Sequence, residues 1–358
     1  MSPLYIISSS CISPQPSFQC NDLNMKINET STNIFHCIEP NFSHFINPVQ
    51  IRRMSLALKI GYATAIDCLK QEENLIPDAV MIGTGKGCLE DTELFLHSMR
   101  TYHETALNAT HFIHSTYNQL NGMIALNRKI SSYNMTYVHR GFSFEHALMD
   151  AGLLFDENQA QSALVGSFDE MTGEHFTIKK QWGYWKDELI NSKDLLMSES
   201  KGTIAGQGSA FYLLSKIKPQ HKVVSIQSVV PLYRPSEADI QFALNHMLST
   251  LDLKIDDIDL VLLGENGDAN CKQEYQNFKS LFSNTQFLYF KHLCGEYDTA
   301  TSFGTWLASQ ILLNQTIPDY VLHPKEQAKS PDMKMKYLLM FNNYFDLNQS
   351  LILLKLED

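Results

Sequence analysis

The 358-residue chain is 44% hydrophobic and 19% charged, the balance of a globular protein and not of a disordered or fibrous one. At roughly 100–200 residues per domain it has room for two or three domains, or one large duplicated one, and can bury its core without disulfide or metal staples. Lys and Arg number 28 against 39 Asp and Glu, a formal charge of −11. That excess argues against nucleic acid or an anionic membrane as the main partner, and leaves open an acidic protein met by a local basic patch.

Tyr5-Ile6-Ile7 is a short buried-strand signal that Ser8-Ser9-Ser10 should end. Residues 12–47 have little periodicity and read as a long loop with short pieces. Met54, Leu58, Ala65 and Leu69 recur at helical spacing after Pro48, which predicts one helix over Ile51–Leu69. Ala79–Ile82 is a strand running into Gly83-Thr84-Gly85-Lys86-Gly87, with a helix from Glu90 to about Met99. Met135–Val138 is a strand, broken at Arg140-Gly141 and followed by a helix over Phe144–Leu154. Ala163–Gly166 and Ser209–Leu214 are further strands. The C-terminal part predicts strands at Val223–Val230, Leu260–Leu263 and Gln286–Phe290, helices at Ala238–Leu251 and Thr299–Leu313, and a closing hairpin of Lys336–Phe341 with Leu351–Leu356. Strands alternating with helices define an α/β fold with mostly parallel sheets. The order of elements runs twice, over 1–215 and 216–358, and no linker parts the halves, so one interlocked unit is expected.

Seven cysteines without CxxC or zinc spacing read as reduced thiols of a cytoplasmic protein. The start MSPLYIISSS lacks a basic n-region, and no stretch reaches the ~18 apolar residues of a membrane span. Four groups could carry chemistry. Cys294 and Cys88 could be nucleophiles, although buried cysteines are mostly inert packing. His139 with Glu145 or His146 could form an acid–base pair, but helical spacing keeps Glu145 and His146 from converging. Asp259, Glu265 and Asp268 could hold a metal, yet no histidine accompanies them and a solvated loop fits better, so no metal and no cofactor is expected. The glycine loop 83–87 lacks both the Walker and the dinucleotide spacing and reads as room for close packing.

The order of these motifs resembles the thiolase superfamily, and within it the β-ketoacyl-acyl-carrier-protein synthases, over nearly the whole chain. Gly83–Gly87 resembles the first glycine loop, Phe112-Ile113-His114-Ser115-Thr116-Tyr117-Asn118 the interface segment, and Asn134–Ala147 the nucleophile strand, elbow and helix. Gly206-Gln207-Gly208-Ser209-Ala210 resembles the Gly-Glu-Gly-Ala turn, Leu260–Asp268 and Lys291–Ser302 the two histidine loops, and Phe341–Leu351 the final gatekeeper loop. The resemblance implies a five-layered α-β-α-β-α fold and a site with a cysteine nucleophile, two histidines, a lysine and an oxyanion hole. Here the nucleophile position is Gly141, the histidine positions are Asn266 and Glu296, and only the lysine, Lys291, is retained. Asn342-Asn343-Tyr344-Phe345-Asp346 replaces a glycine-rich final loop.

The resemblance therefore implies a condensation-incompetent homologue akin to the chain length factors of type II polyketide synthases. Those form heterodimers with an active ketosynthase and shape the tunnel for an acyl chain brought by acyl carrier protein. The best-known ones carry Gln where this chain has Gly141, so the resemblance supports a role and not a product. Degenerate subunits beside aryl polyene and flexirubin-type pigment enzymes are a similar case. By the same resemblance Lys86, Phe112, Ser115, Tyr117 and Asn118 would lie at the acyl tunnel and subunit interface, with Phe112 reaching into the partner's tunnel. Two alternatives stay open: an acyltransferase or hydrolase of this fold using another residue, and a homodimeric scaffold for acyl carrier protein.

Overall fold

The structure is a computed structural model and describes residues 1–20, 22–328 and 334–358. Among these residues twelve strands are formed: β1 Leu4–Ile12, β2 Ile34–Phe35, β3 Ala79–Gly83, β4 Tyr133–Tyr137, β5 Ser162–Asp169, β6 Ala205–Gly206, β7 Gly208–Ser215, β8 Val223–Tyr233, β9 Leu260–Leu263, β10 Gln286–Tyr289, β11 Tyr337–Tyr344 and β12 Asn348–Glu357. The helices are α1 Pro48–Ile51, α2 Leu56–Lys70, α3 Leu89–Tyr102, α4 Ala109–His114, α5 Gln119–Arg128, α6 Ser143–Asp156, α7 Gly173–Gln181, α8 Glu237–Thr250, α9 Lys272–Lys279, α10 Lys291–Cys294 and α11 Ala300–Asn314.

Ten strands run in the order β10-β9-β11-β12-β8-β1-β7-β5-β3-β4. Read outward from the β1–β8 pairing, both arms have the same pattern. β1-β7-β5 and β8-β12-β11 are antiparallel, while β5-β3-β4 and β11-β9-β10 are parallel. Strand alternation then sorts side chains into layers. Ala79 and Met81 of β3, with Leu260 and Leu262 of β9, face a central core shared with α6 and α11. Val80 and Ile82 face an outer layer of α2 and α5, while Val261 and Leu263 face α8 and α9. Helix, sheet, helix, sheet, helix: the five expected layers are present.

Two elements depart from the sequence reading. Strand β1 does not end at Ser8–Ser10 but continues through them. The hydroxyls of Ser8 and Ser10 are buried yet satisfied, donating to Cys68 O (2.9 Å) and Asp67 Oδ2 (2.8 Å), so small polar residues cost the strand little. The single helix over 51–69 is interrupted at residues 52–55, where Ser55 leads into α2. Five helices lie outside the sequence reading: α4, α5, α7, α9 and α10. Among the described residues no helix is long and apolar enough to cross a membrane.

Candidate functional site

Parallel strands release their loops at one end, and open α/β sheets use that end for ligands. Here β3, β4 and β5 deliver Gly83–Gly87, the Arg140–Ser143 elbow and Asp169, while β9 and β10 deliver Asn266 and the 291–299 loop.

Asn266, Glu296 and Lys291 come together. Lys291 Nζ lies 2.6 Å from Glu296 Oε2, both side chains being 0% exposed. Asn266 Nδ2 donates to the same oxygen at 2.8 Å, and Lys291 also donates to Asn343 O at 3.1 Å. The loop is placed by its backbone. Gly295 adopts φ +72, and Glu296 N donates to Ile204 O while Gly206 N donates to Glu296 O. Gly206 leaves room for this: a Cβ there would fall 2.1 Å from Cys294 O. Burial holds the Glu296 carboxyl above its ordinary range, against the pull of Lys291 and Asn266. An amide and a carboxylate thus close on the lysine in one buried cluster.

A second buried cluster adjoins the first. Asp298 takes both Lys86 (2.8 Å) and the Tyr344 hydroxyl (2.9 Å), with Lys179 at 3.8 Å. Burial alone would raise its pKa, but Lys179, Lys86 and Tyr344 hold the carboxyl well below the usual range. Lys179 also donates to Tyr344 Oη at 3.0 Å and sits 5.2–5.8 Å from the rings of Tyr184, Trp185, Tyr344 and Phe345, a cation–π cage. Burial lowers the Lys179 pKa and pushes that of His175 down to about 4. Tyr344 and Phe345 are presented by the β11–β12 hairpin, whose central residues Phe345 and Asp346 both have positive φ, the geometry of a type I′ turn.

The elbow is closed by that hairpin. A Cβ on Gly141 would lie 2.9 Å from Tyr344 Cγ and 3.0 Å from Asn348 Cβ. Gly83 packs on the Ser143–Phe144 backbone and Gly85 on Asp298, both closer than any side chain allows, which supports the close-packing reading of the glycine loop. Lys86 of that loop lies in the ion pair with Asp298.

Phe112 is 57% exposed on α4, its ring 5.3 Å from Phe95. Ser115 Oγ donates to Phe112 O, Tyr117 covers Gly87, and Asn118 precedes α5. Tyr117 thus lies beside the glycine loop, while Phe112 stays exposed on α4.

The remaining sequence candidates are accounted for. Burial pushes the Cys294 and Cys88 thiols far up, so neither is a ready thiolate. His139 and His146 do meet (Nδ1–Nδ1 3.4 Å), whereas Glu145 turns inward to Ser350. Asp259 caps Lys336 N and Tyr337 N, Glu265 pairs with Lys279, and Asp268 takes Asn270 N, so the three carboxylates do not converge. Asp298, Lys179, Tyr344 and His175 were not singled out from sequence. An aspartate two residues after Glu296, beside a buried run, was the available signal for the first.

These layers and strand-end loops define a thiolase-like β-ketoacyl synthase fold. The chain is similar over 99% of its length to the ishigamide ketosynthase/chain length factor, covering 99% of that chain at 13% identity with a TM-score of 0.81. A β-ketoacyl synthase from Burkholderia phymatum STM815 matches at 11% identity and TM-score 0.80, with 100% of both chains covered. The ketosynthase ApeO in complex with its chain length factor ApeC, from Xenorhabdus doucetiae, matches at 14% identity and TM-score 0.77, covering 99% of this chain and 98% of that one. At these identities the likeness is one of fold. No family model and no curated protein sequence matches the chain.

Proposed function

We propose that the chain is a ketosynthase homologue without condensing activity of its own, acting as a chain length factor-like subunit beside an active β-ketoacyl synthase in fatty acid, polyketide or aryl polyene-type biosynthesis. One observation carries this: the nucleophile position, Gly141, has neither a thiol nor room for one, because Tyr344 fills the space a side chain would need. The charged groups around it agree. Lys86, Lys179 and Asp298 pair with one another beside Tyr344, a setting from which an acyl chain gains nothing.

The partner surface follows from the exposed flank. β4 is the last strand of the sheet among the described residues; Tyr133 and Met135 are exposed on it, as are Phe112, Ile113, Tyr117 and Leu126 in the segment that precedes it. Uncovered apolar edge strands invite association. A ketosynthase subunit seated there would place Phe112 against its own tunnel, and acyl carrier protein would serve the pair in the cytoplasm. A second copy of this chain is the competing occupant.

Coexpression with an intact Cys-His-His ketosynthase tests the reading. The expected result is a heterodimer by size-exclusion chromatography that condenses malonyl units, while this chain alone stays unacylated by intact mass after exposure to acyl carrier protein. A self-dimer that persists in the presence of the ketosynthase, or acylation of this chain, overturns it.

A further inference from the structure

Lys291 and His292 are neighbours on α10 and serve different surroundings. Lys291 closes on Glu296 in the buried cluster. His292 lines a separate cavity of about 230 Å³ formed by α10 with the chain around residues 27–29, 192–196 and 319–324. Ile27, Leu196, Leu293, Leu322 and Pro324 give it apolar walls. An apolar cavity of about 150 Å³ already admits benzene, so this one has room for a ring with a short substituent.

His292 is the polar group of the wall that lacks a full set of partners. It is 7% exposed. Burial pushes its pKa down to about 4, so the ring is neutral near pH 7. Its Nε2 lies 2.7 Å from Tyr320 O, a carbonyl that can only accept, so Nε2 carries the hydrogen. That leaves Nδ1 as a lone pair, and it has no hydrogen-bond partner among the described residues. An acceptor buried without a donor is costly and calls for one. The other polar side chains of the wall are engaged or solvated. Ser192 Oγ accepts from Thr30 N, the Tyr320 hydroxyl donates to Leu23 O, and Glu29 lies 3.6 Å from Lys193. Asp319 is exposed. Two carboxylates against one ammonium give an anion no advantage, and apolar walls would strip any charged guest of its water.

We propose that this cavity binds a small neutral molecule, an apolar ring or short chain bearing one O–H or N–H, which donates to His292 Nδ1. No residue of the cavity belongs to the elbow, to the two charged clusters or to β4, so the subunit reading and this one stand or fall separately.

The test titrates the full chain with phenol by calorimetry. Anisole serves as the same ring without a donor, and benzoate as the same ring with a charge. Phenol should bind saturably at one site, anisole about tenfold more weakly, the share of one hydrogen bond, and benzoate not measurably. Nitrogen-15 spectra of the histidine rings read the contact directly. The His292 Nδ1 resonance should move upfield with phenol, as a ring nitrogen does on accepting a hydrogen bond, and stay in place with anisole. Ile27→Trp, at a half-buried wall position, should fold and lose binding because the indole fills the cavity. His292→Phe should bring phenol down to the affinity of anisole. If loss of the Tyr320 contact unfolds that variant, the wild-type spectra decide. Wild type without saturable phenol binding, or phenol binding that Ile27→Trp leaves intact, overturns the site. Equal affinities for phenol and anisole, or a His292 Nδ1 resonance unmoved at saturation, overturn the donor contact.

Discussion

The elbow between β4 and α6 and the loop between β10 and α11 hold equivalent places in the two arms of the sheet, yet they are packed by opposite means. The elbow is closed with carbon: Gly141 lies under Tyr344 and Asn348, and Arg140 turns through φ 47 to let the chain pass. The buried Glu145 behind it takes hydroxyls, Ser350 at 2.8 Å and Thr301, and has no hydrogen-bonded cation. The C-terminal loop is closed with charge: Glu296 and Asp298 each meet a lysine at 2.6 Å and 2.8 Å. Two loops at equivalent places in the sheet can therefore be closed by different means, apolar packing in one and paired buried charges in the other.

The largest effect should come from unpairing the charged loop. Lys291→Met leaves Glu296 buried without its cation and should destabilise the chain by ~3–5 kcal/mol in urea titrations. The double variant Lys291→Met with Glu296→Leu should recover most of that loss. A single variant as stable as wild type would mean the pair is not what closes this loop.

The elbow's unpaired acid should show itself through pH. Burial pushes the Glu145 pKa up to about 7 from 4.5. The native state then binds a proton that the unfolded chain has released, so the group's contribution is full below pH 4.5 and lost as pH rises through 7. Glu145→Gln should therefore gain on wild type by about 3 kcal/mol between those limits, at about 1.4 kcal/mol per pKa unit, and level off above them. A difference independent of pH would place a hidden cation at the elbow.

Placing a thiol at the elbow should cost stability and bring no acylation. Gly141→Cys forces its Cβ to within 2.9 Å of Tyr344 and should destabilise by ~1–3 kcal/mol. Adding Tyr344→Ala should relieve the clash, and intact mass should still find no acyl enzyme, since Asn266 and Glu296 are tied up with Lys291 and no histidine joins them. Acylation of the double variant would show that space alone had silenced the elbow.

The smallest effect on the chain itself belongs to the outer flank. Phe112 is more than half exposed, so Phe112→Ala should change folding stability by less than ~0.5 kcal/mol. Its consequence should appear only in the complex, as longer products by mass spectrometry from an intact heterodimer. A weakened heterodimer with unchanged products would make Phe112 an interface aromatic and no gate.

Much of this was legible in the chain. The continuous apolar runs at Ala79–Ile82 and Leu260–Leu263 mark strands covered on both faces, and the apolar spacing in α2, α6, α8 and α11 marks helices. Lys291, Asn266 and Glu296 were reached through the motif order of the resemblance, in the loops that follow β9 and β10. The short helices α4, α7 and α10 were not, since four to nine residues hold too few turns to display a period.

The sequence by itself determined which residues leave the strand ends, and hence that no cysteine stands at 141 and no histidine at 266 or 296. Only the tertiary structure decided what those residues do there. Lys86 and Asp298 are 212 residues apart, Lys179 and Tyr344 are 165 apart, and Gly141 meets Tyr344 across the junction of the two arms. Periodicity speaks for neighbours within a turn or a strand. The choice of partner for a buried charge is made by which loops the sheet brings to one end, and only the folded register of ten strands holds that information.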